Sequence, residues 1–529
     1  MSINSGSSTS AGVYTGEVDD TVRTTAAPTS IGAIVGPSHK GPVGVASLVV
    51  DKTDLNAQYG VSDPTLTYMH YCATAFLEDS SQLYVVRIAN NAKLGGIKVA
   101  TVNNFSTTVP FTVGLNSAAD IVFDTNDIMW IYADNPGDWN NNLRVLIYPD
   151  TNDASNQGFV LNVFEGSSSV AVESYRATLF DKLDGFGKQL NIENLTETSK
   201  RIHVLVNRQH PSFLVNEQAV LINALTSGGI TQGDNGTAVT TSDIANAWEV
   251  FRDVEDLTVN LLINAGYTDV TVQQRMLEIA AERDDCFAIL DVPSDQQDAQ
   301  AAVNWRRDTL NVSTSYGALY APDILIRDTD RANNLYIPCS GHVAGVFART
   351  DRVAAAWFAP AGITRSQLSV QGLRVAYKQG HRDLFADNQI NPLISMPGQG
   401  YVVWGADTLQ SFASALSNIN VRRLISLLKT SIANSSLVGV YEPNDTFLRI
   451  SMKALCDSIL APIKRGRGLY GYEIICDDRN NSNENIANGD LILDVYVDPV
   501  LPAKRIHLNA IIPKTGQITF AQSLVNATN

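Results

Sequence analysis

LTVNLLINAG (residues 257–266), VTVQQRMLEIAAER (270–283), CFAILDVP (286–293), DQQDAQAAVNWRRDTL (295–310) and GALYAP (317–322) follow one another with short breaks. The first, third and fifth are continuous apolar runs of strand length, the pattern of strands buried on both faces. The second sets Val272, Met276, Ile279 and Ala280 on one side of a helix, and the fourth also reads as a helix. Strand, helix, strand, helix, strand in this order calls for a parallel sheet covered by helices.

Upstream, the same rhythm begins earlier and is interrupted. IGAIVG (31–36) is an apolar run closed by Gly36-Pro37, and Lys40-Gly41-Pro42 marks a second turn. Between Pro64 and Asp79 the residues Met69, Cys72, Ala73, Phe76 and Leu77 have helical spacing, suited to packing on the strand QLYVVRIA (82–89). From 96 to about 200 the text turns to Asn, Asp, Thr and Val, with short strands such as DIMWIYADN (127–135), LRVLIYPD (143–150) and FVLNVFEG (159–166). Short strands between turn residues predict an inserted β-sandwich or barrel.

Downstream, LQSFASALSNINVRRLISLLKTSIANSS (409–436) and TFLRISMKALCDSILAPIKR (446–465) read as helices, and YGYEIICDD (470–478) follows them. In GDLILDVYVDPV (489–500), Leu491, Leu493, Val495 and Val497 alternate with Ile492, Asp494, Tyr496 and Asp498, the period of a strand. KRIHLNAIIP (504–513) likewise sets Ile506, Leu508, Ala510 and Ile512 on one face. At the other end, GVYTGEVDDTVR (12–23) has Tyr14, Val18 and Val22 on one parity, a weak strand signal broken by Gly16 and Asp20.

A chain of 529 residues exceeds one ordinary core, so two to four domains are expected. The net charge of −16 is unevenly placed: residues 355–529 carry 16 Lys+Arg against 13 Asp+Glu, leaving 22 against 41 for the rest. With one modest basic stretch around Lys464, Arg465 and Arg467 and no basic stripe, nucleic acid is not an expected partner. Five scattered cysteines, Cys72, Cys286, Cys339, Cys456 and Cys476, read as free thiols of a reducing compartment. No apolar run reaches the ~20 residues of a membrane span, and MSINSGSSTS at the start reads as neither signal peptide nor anchor. Cytoplasmic synthesis without membrane insertion is the expectation.

Signatures of chemistry are weak. Gly466-Arg467-Gly468-Leu469-Tyr470-Gly471 fits GxGxxG by letters. However, it stands after a helix and before a strand, the reverse of a dinucleotide site, so a helix-ending turn is expected. GxxxxGK[ST], HExxH and GxSxG do not occur. Cys339-Ser340-Gly341-His342 reads as an element boundary with no assignable base, and His70, His342 and His381 have no paired ligand spacing. Asp284 and Asp285 read as a solvated helix end. No catalytic residue, cofactor or metal is expected.

Several separated strings carry a resemblance. WFAPAGITRSQL (357–368), LFADNQINPLISMPGQGYVVWGADTL (384–409), INVRRLISLLKTSIANSS (419–436), VYEPND (440–445), GRGLYGYEIICDDRNN (466–481) and the tail from Gly489 resemble the contractile phage tail sheath family. GVYTGEVDD, VGPSHKGPVGVASLV (35–49) and LNAQYG (55–60) agree at the start, so the likeness spans about the first 95 and last 175 residues. The resemblance implies an α/β multidomain fold. It comprises a subtilisin-like α/β domain without protease activity, an inserted β-sandwich and an α+β C-terminal sheath domain with strand-exchanging terminal arms.

The boundaries this implies are an N-terminal arm at 1–25, the first part of the α/β core at 26–95, the insertion at 96–200, the subtilisin-like domain at 201–354, the C-terminal domain at 355–502 and the C-terminal arm at 503–529. The arms, carried by Tyr14, Val18, Val22, Ile506, Leu508, Ala510 and Ile512, would add as strands to a neighbour's sheet built on Leu491, Leu493, Val495 and Val497. The implied assembly is a homo-oligomer of stacked hexameric rings around a tail tube, meeting baseplate and tail terminator proteins. It would be made in the host cytoplasm, reside in the virion and contract during genome delivery. Arg449, Lys453, Lys464, Arg465 and Arg467 are candidates to face an acidic tube, against the plainer reading of a solvated helix end. A headless device such as a bacteriocin or secretion-type injector, or a cryptic hydrolase, are the alternatives.

Overall fold

The computed structural model describes residues 28–100, 104–106, 111–112, 123, 127–150, 158–210, 226–230 and 233–505. At its centre is a nine-stranded sheet whose strands are β1 (Gly32–Pro37), β2 (Ala46–Val49), β3 (Leu83–Ile88), β4 (Leu261–Ile263), β5 (Phe287–Asp291), β6 (Gly317–Ala321), β7 (Gln367–Leu368), β8 (Ile390–Met396) and β9 (Gly400–Val403). Their spatial order is β7-β9-β8-β6-β5-β4-β1-β3-β2. The six central strands run parallel, and antiparallel β2 and the β7–β9 pair close the edges. Strands β4, β5 and β6 are buried at every residue, because helices cover both faces.

On one face lies α3 (Val270–Arg283), capped by the Asp269 side chain and packed through Val272, Met276, Ile279 and Ala280 on Leu262, Ala288 and Leu290. Trp248 and Phe251 complete that core. The other face carries α1 (Lys52–Tyr59), α2 (Met69–Leu77) and α4 (Ser340–Val353). Helices α2 and α4 touch at Gly341, where an added Cβ would stand 2.4 Å from the Cys72 Cα. A larger residue there would push the helices apart.

After β3 the chain leaves the sheet through a neck pinned by the bridges Asn90–Thr237 and Lys93–Asp234. Beyond it, strands Ile202–Val206, Asp127–Ala133, Gly96–Ala100 and Asn104–Ser106 form one four-stranded sheet. Strands Glu173–Ala177, Phe159–Glu165, Leu143–Pro149 and Thr226–Gly229 form another. Trp130, Ile131, Val145, Leu161 and Val204 from both sheets share one core, which makes a β-sandwich. It takes in strands at 202–206 and 226–229, so the expected edge at 200 falls short. That segment lacked a distinctive turn signature, and only pairing with Asp127–Ala133 and Leu143–Pro149 assigns it. The neck is locked by Arg87 of β3, fully buried, which donates to the carbonyls of Ser38 (2.9 Å), Gly41 (2.8 Å) and Pro136 (2.5 Å).

The C-terminal part is a pair of helices, α5 (Ile419–Ser436) and α6 (Thr446–Arg465), with a hairpin of β10 (Leu469–Ile475) and β11 (Asp494–Pro499). Three expectations are corrected here and upstream. The helix expected over 409–436 starts at Ile419, because Gln410 and Ser414 side chains fold the preceding residues into turns. The 295–310 segment forms a short α-helix from Ala299, capped by Asp298, and widens to π-helical geometry at Trp305–Leu310. Strand β11 begins at Asp494 rather than before Leu491. The Ile492 backbone is instead held by Asn481, which donates to its carbonyl (2.9 Å) and accepts from its N–H (2.7 Å).

Candidate functional site

In an open α/β sheet the natural place for chemistry is the carboxyl end of the parallel strands. Here that place is filled. Asp291, at the end of β5, accepts from the N–H of Ser340 (2.8 Å) and of Gly266 (3.0 Å), with the Cys339 thiol at 3.5 Å. Ser340 Oγ accepts from the Ala265 N–H (3.0 Å), and Gln273 donates to the Asn264 side chain and the Asp291 carbonyl. Asp291, Cys339, Ser340 and Gln273 are each at most 1% exposed. Burial raises the Asp291 carboxyl to about 6 and drives the Cys339 thiol well up. Ser340 is thus a helix-start residue whose backbone N–H and hydroxyl both bond to the Asp291 carboxyl, the hydroxyl also accepting from the Ala265 N–H. Cys339-Ser340-Gly341-His342 is the boundary that opens α4.

The other candidate letters resolve in the same way. Gly466–Gly468 is the turn between α6 and β10, closed on Trp357, whose indole donates to the Gly466 carbonyl (2.9 Å). Asp284 pairs with Lys429 (3.0 Å) and Asp285 with Arg283 (2.9 Å). All five cysteines are free and buried. Among the described residues there is no cluster of three metal-ligating side chains and no helix long and apolar enough to cross a membrane.

What the C-terminal part offers is an unfinished sheet. β10 and β11 pair antiparallel with Tyr472 opposite Val497 and Ile474 opposite Val495. Their inner face packs Ile474, Val495 and Val497 on Leu448, Met452, Leu455 and Leu460, together with Leu491 and Leu493 from the approach to β11. Packing on α6 stabilises what an isolated hairpin would not hold. The outer face shows Tyr470 and Tyr496, 66% and 59% exposed. Among the described residues neither outer edge has a strand partner, so each presents backbone N–H and C=O groups to whatever comes beside it. A groove lined by Ile450, Lys453, Ala454, Asp457, Tyr472 and Arg479 runs between α6 and β10. The Tyr472 hydroxyl donates to Asp457 across it (2.6 Å).

The five basic candidates do not form one stripe. Arg449 is buried, bonded to Asp478 (2.6 Å) and to the Asp445 carbonyl. It therefore leaves the exposed set: its side chain is 9% exposed, with the guanidinium held by Asp478 and by the Asp445 carbonyl. Lys453, Lys464, Arg465 and Arg467 are exposed. Lys464 lies over the Tyr472 ring at 5.6 Å, and Arg467 occupies a left-handed turn position. Lys453 and Arg465 stand about 18 Å apart along α6 at 1.5 Å per residue. The arm residues Tyr14, Val18, Val22, Ile506, Leu508, Ala510 and Ile512 lie outside the described residues.

Sequence reading missed an exposed apolar tip: Leu437, Val438, Val440 and Tyr441 in the α5–α6 connection, with Phe447 and Ile450 beside them. Its signal was the apolar run LVGVY in a segment that carries no periodicity.

Comparison with known proteins places this geometry. Residues 237–409 match the model of the phage tail sheath protein central domain, and residues 413–512 match that of the phage tail sheath C-terminal domain. The chain belongs to the phage tail sheath family. It is 32% identical over 311 residues to the tail sheath protein of Enterobacteria phage T4, covering 55% of this chain and 47% of that protein. It is 30% identical over 336 residues to the tail sheath protein of Vibrio phage KVP40, covering 57% and 50%. The chain thus spans about half the length of these curated relatives. Its fold is similar to the sheath of an extracellular contractile injection system, the PVC sheath complex in its contracted state, with TM-score 0.53, 15% identity and coverage of 96% and 98%. Tail sheath proteins are structural components of the virion.

Proposed function

We propose that the chain is the subunit of a contractile sheath. Copies polymerise as stacked hexameric rings around a tail tube and are joined by terminal segments that add as strands to a neighbour's β10–β11 sheet. The single observation behind this reading is the two-stranded sheet with a covered inner face and two edges that have no strand partner among the described residues, in a chain that continues before Pro28 and after Arg505. Strand addition would satisfy the edge N–H and C=O groups, and alternate side chains such as Ile506, Leu508, Ala510 and Ile512 would find the inner face. A subunit held by several strands keeps its place when one lets go. The subtilisin-like part would then be a rigid scaffold, and contraction would proceed downhill from a kinetically trapped extended array once a baseplate triggers it. The exposed apolar tip at 437–441 would be covered in the assembly.

Electron microscopy of the purified full chain tests the reading: ordered tubes are expected. Deleting residues 1–24 or 506–529 should leave folded single subunits, and intact ordered cylinders from either deletion would overturn the strand-donation scheme. The likeness to the extracellular injection-system sheath favours one second reading, a headless contractile device using the same physics. The tube protein and genes found beside this one would decide between them.

A further inference from the structure

Thr29 and Ser30, just ahead of β1, are gripped by two residues distant in sequence. Arg423, in the second turn of α5, donates through Nη1 to Asp351 Oδ1 (2.7 Å) and through Nη2 to Asp351 Oδ2 (2.6 Å), and the same Nη2 donates to the Thr29 carbonyl (2.9 Å). Asp351, in the last turn of α4, also accepts from the Ser30 hydroxyl (2.9 Å). The Ser30 carbonyl accepts in turn from Ser80 (2.9 Å). The Arg423 and Asp351 side chains are 6% and 5% exposed, and the guanidinium lies over the Phe347 ring at 5.0 Å. One planar fork therefore holds three pieces of chain at once: the segment entering β1, the helix layer on the sheet, and the C-terminal helix pair.

We propose that the buried Asp351–Arg423 pair is the anchor for the root of the N-terminal segment. A pull on the residues before Pro28 is then delivered jointly to α4 and α5, and the sheet layer and C-terminal helices respond as one body. A buried ion pair is an expensive way to hold two helices together, since apolar residues of similar size would do it as well or better. What apolar residues cannot do is fix a backbone carbonyl in one position against sliding, because dispersion contacts are non-directional whereas a guanidinium fork is not. The pair is thus suited to a segment under tension. That this segment goes on to a neighbouring copy rests on the proposed function; that it is held at this root does not.

Hydrogen exchange on the full chain tests the anchor. Arg423→Met should speed exchange of the Ile31 and Gly32 amides, which donate to Asn260 Oδ1 (3.4 Å) and the Gln82 carbonyl (3.0 Å), by roughly 100-fold, as a locally opened segment would, while α2, α3 and the insertion change little. Arg423→Lys, which keeps the charge and loses the fork, should give an intermediate effect. Ser30→Ala removes one hydrogen bond without unpairing a charge and should give roughly a 5- to 10-fold increase confined to the same residues, consistent with the worth of a single bond. It decides the matter if Arg423→Met fails to fold. Unchanged exchange of the Ile31 and Gly32 amides in Arg423→Lys and Ser30→Ala would overturn the anchor. Absence of tubes from the wild-type chain would instead sink the sheath reading and leave the exchange result standing. If both hold, Arg423→Lys tubes should be shorter or less regular than wild type.

Discussion

Two histidines should make the large domain acid-labile. His70 on α2 and His342 on α4 both line a cavity between these helices and the strand Ile324–Asp328. His70 Nε2 and His342 Nδ1 are buried with no protein partner among the described residues. Burial lowers each imidazole from 6.5 to about 4. The charged groups around His70 are Lys52, Asp328 and Asp330, and those around His342 are Arg349 and Asp79, with Glu78 on the cavity wall.

A base whose folded value lies below its unfolded value binds fewer protons when folded. Its contribution is therefore intact above pH 6.5 and lost as pH falls toward 4. A drop of two and a half units is worth about 3 kcal/mol per histidine at 1.36 kcal/mol per unit. Asp291 works the other way: raised from 3.8 to about 6 by burial, it is fully stabilising below pH 3.8 and loses about 3 kcal/mol as pH rises through 6. Between pH 7 and 4 His70, His342 and Asp291 together should contribute a loss of about 3 kcal/mol, and His70→Gln should remove most of that contribution. At roughly 2–4 °C per kcal/mol for a domain of this size, the wild-type melting temperature should fall by about 6–12 °C over the interval. Thermal melts at half-unit pH steps for both proteins check this. Parallel wild-type and His70→Gln curves would refute the assignment to His70.

Two further outcomes follow from named contacts. Arg87→Met leaves the carbonyls of Ser38, Gly41 and Pro136 unpaired, which should cost about 3 kcal/mol or more and loosen the neck; limited proteolysis should release the insertion while the nine-stranded sheet resists. Reversing Lys453, Lys464, Arg465 and Arg467 to Glu should leave the subunit's melting temperature within a few degrees, since all four are exposed. If they meet an acidic tube, co-assembly with tubes should weaken and lose its salt dependence; unaltered assembly would remove the tube contact.

The helix-strand alternation from Leu257 to Ala321 was legible because apolar periodicity is a local property of the chain. The same holds for α6, which spans Thr446–Arg465 as read, since the helical spacing of its core residues is written in neighbouring positions. The hairpin's inner face was legible for the same reason: Leu491, Leu493, Val495 and Val497 do share one core. Its true start was not, because the Asn480 and Asn481 side chains replace a strand partner at Ile492, and side-chain capture of backbone leaves no period. Arg449 reads as a surface cation because the carboxylate that holds it, Asp478, stands 29 positions along the chain.

By itself the sequence determined the buried strands, the helices that cover them, the interrupting β-rich segment and the family strings, all of which depend on residues within a few positions of one another. Only the tertiary structure decided that the carboxyl end of the sheet is packed shut around Asp291, that Arg423 reaches from α5 to Asp351 and Thr29, and that β10 and β11 have no further strand partner among the described residues. Each of these is a meeting of residues tens to hundreds of positions apart. Their distances are set by how layers pack, which no local pattern encodes.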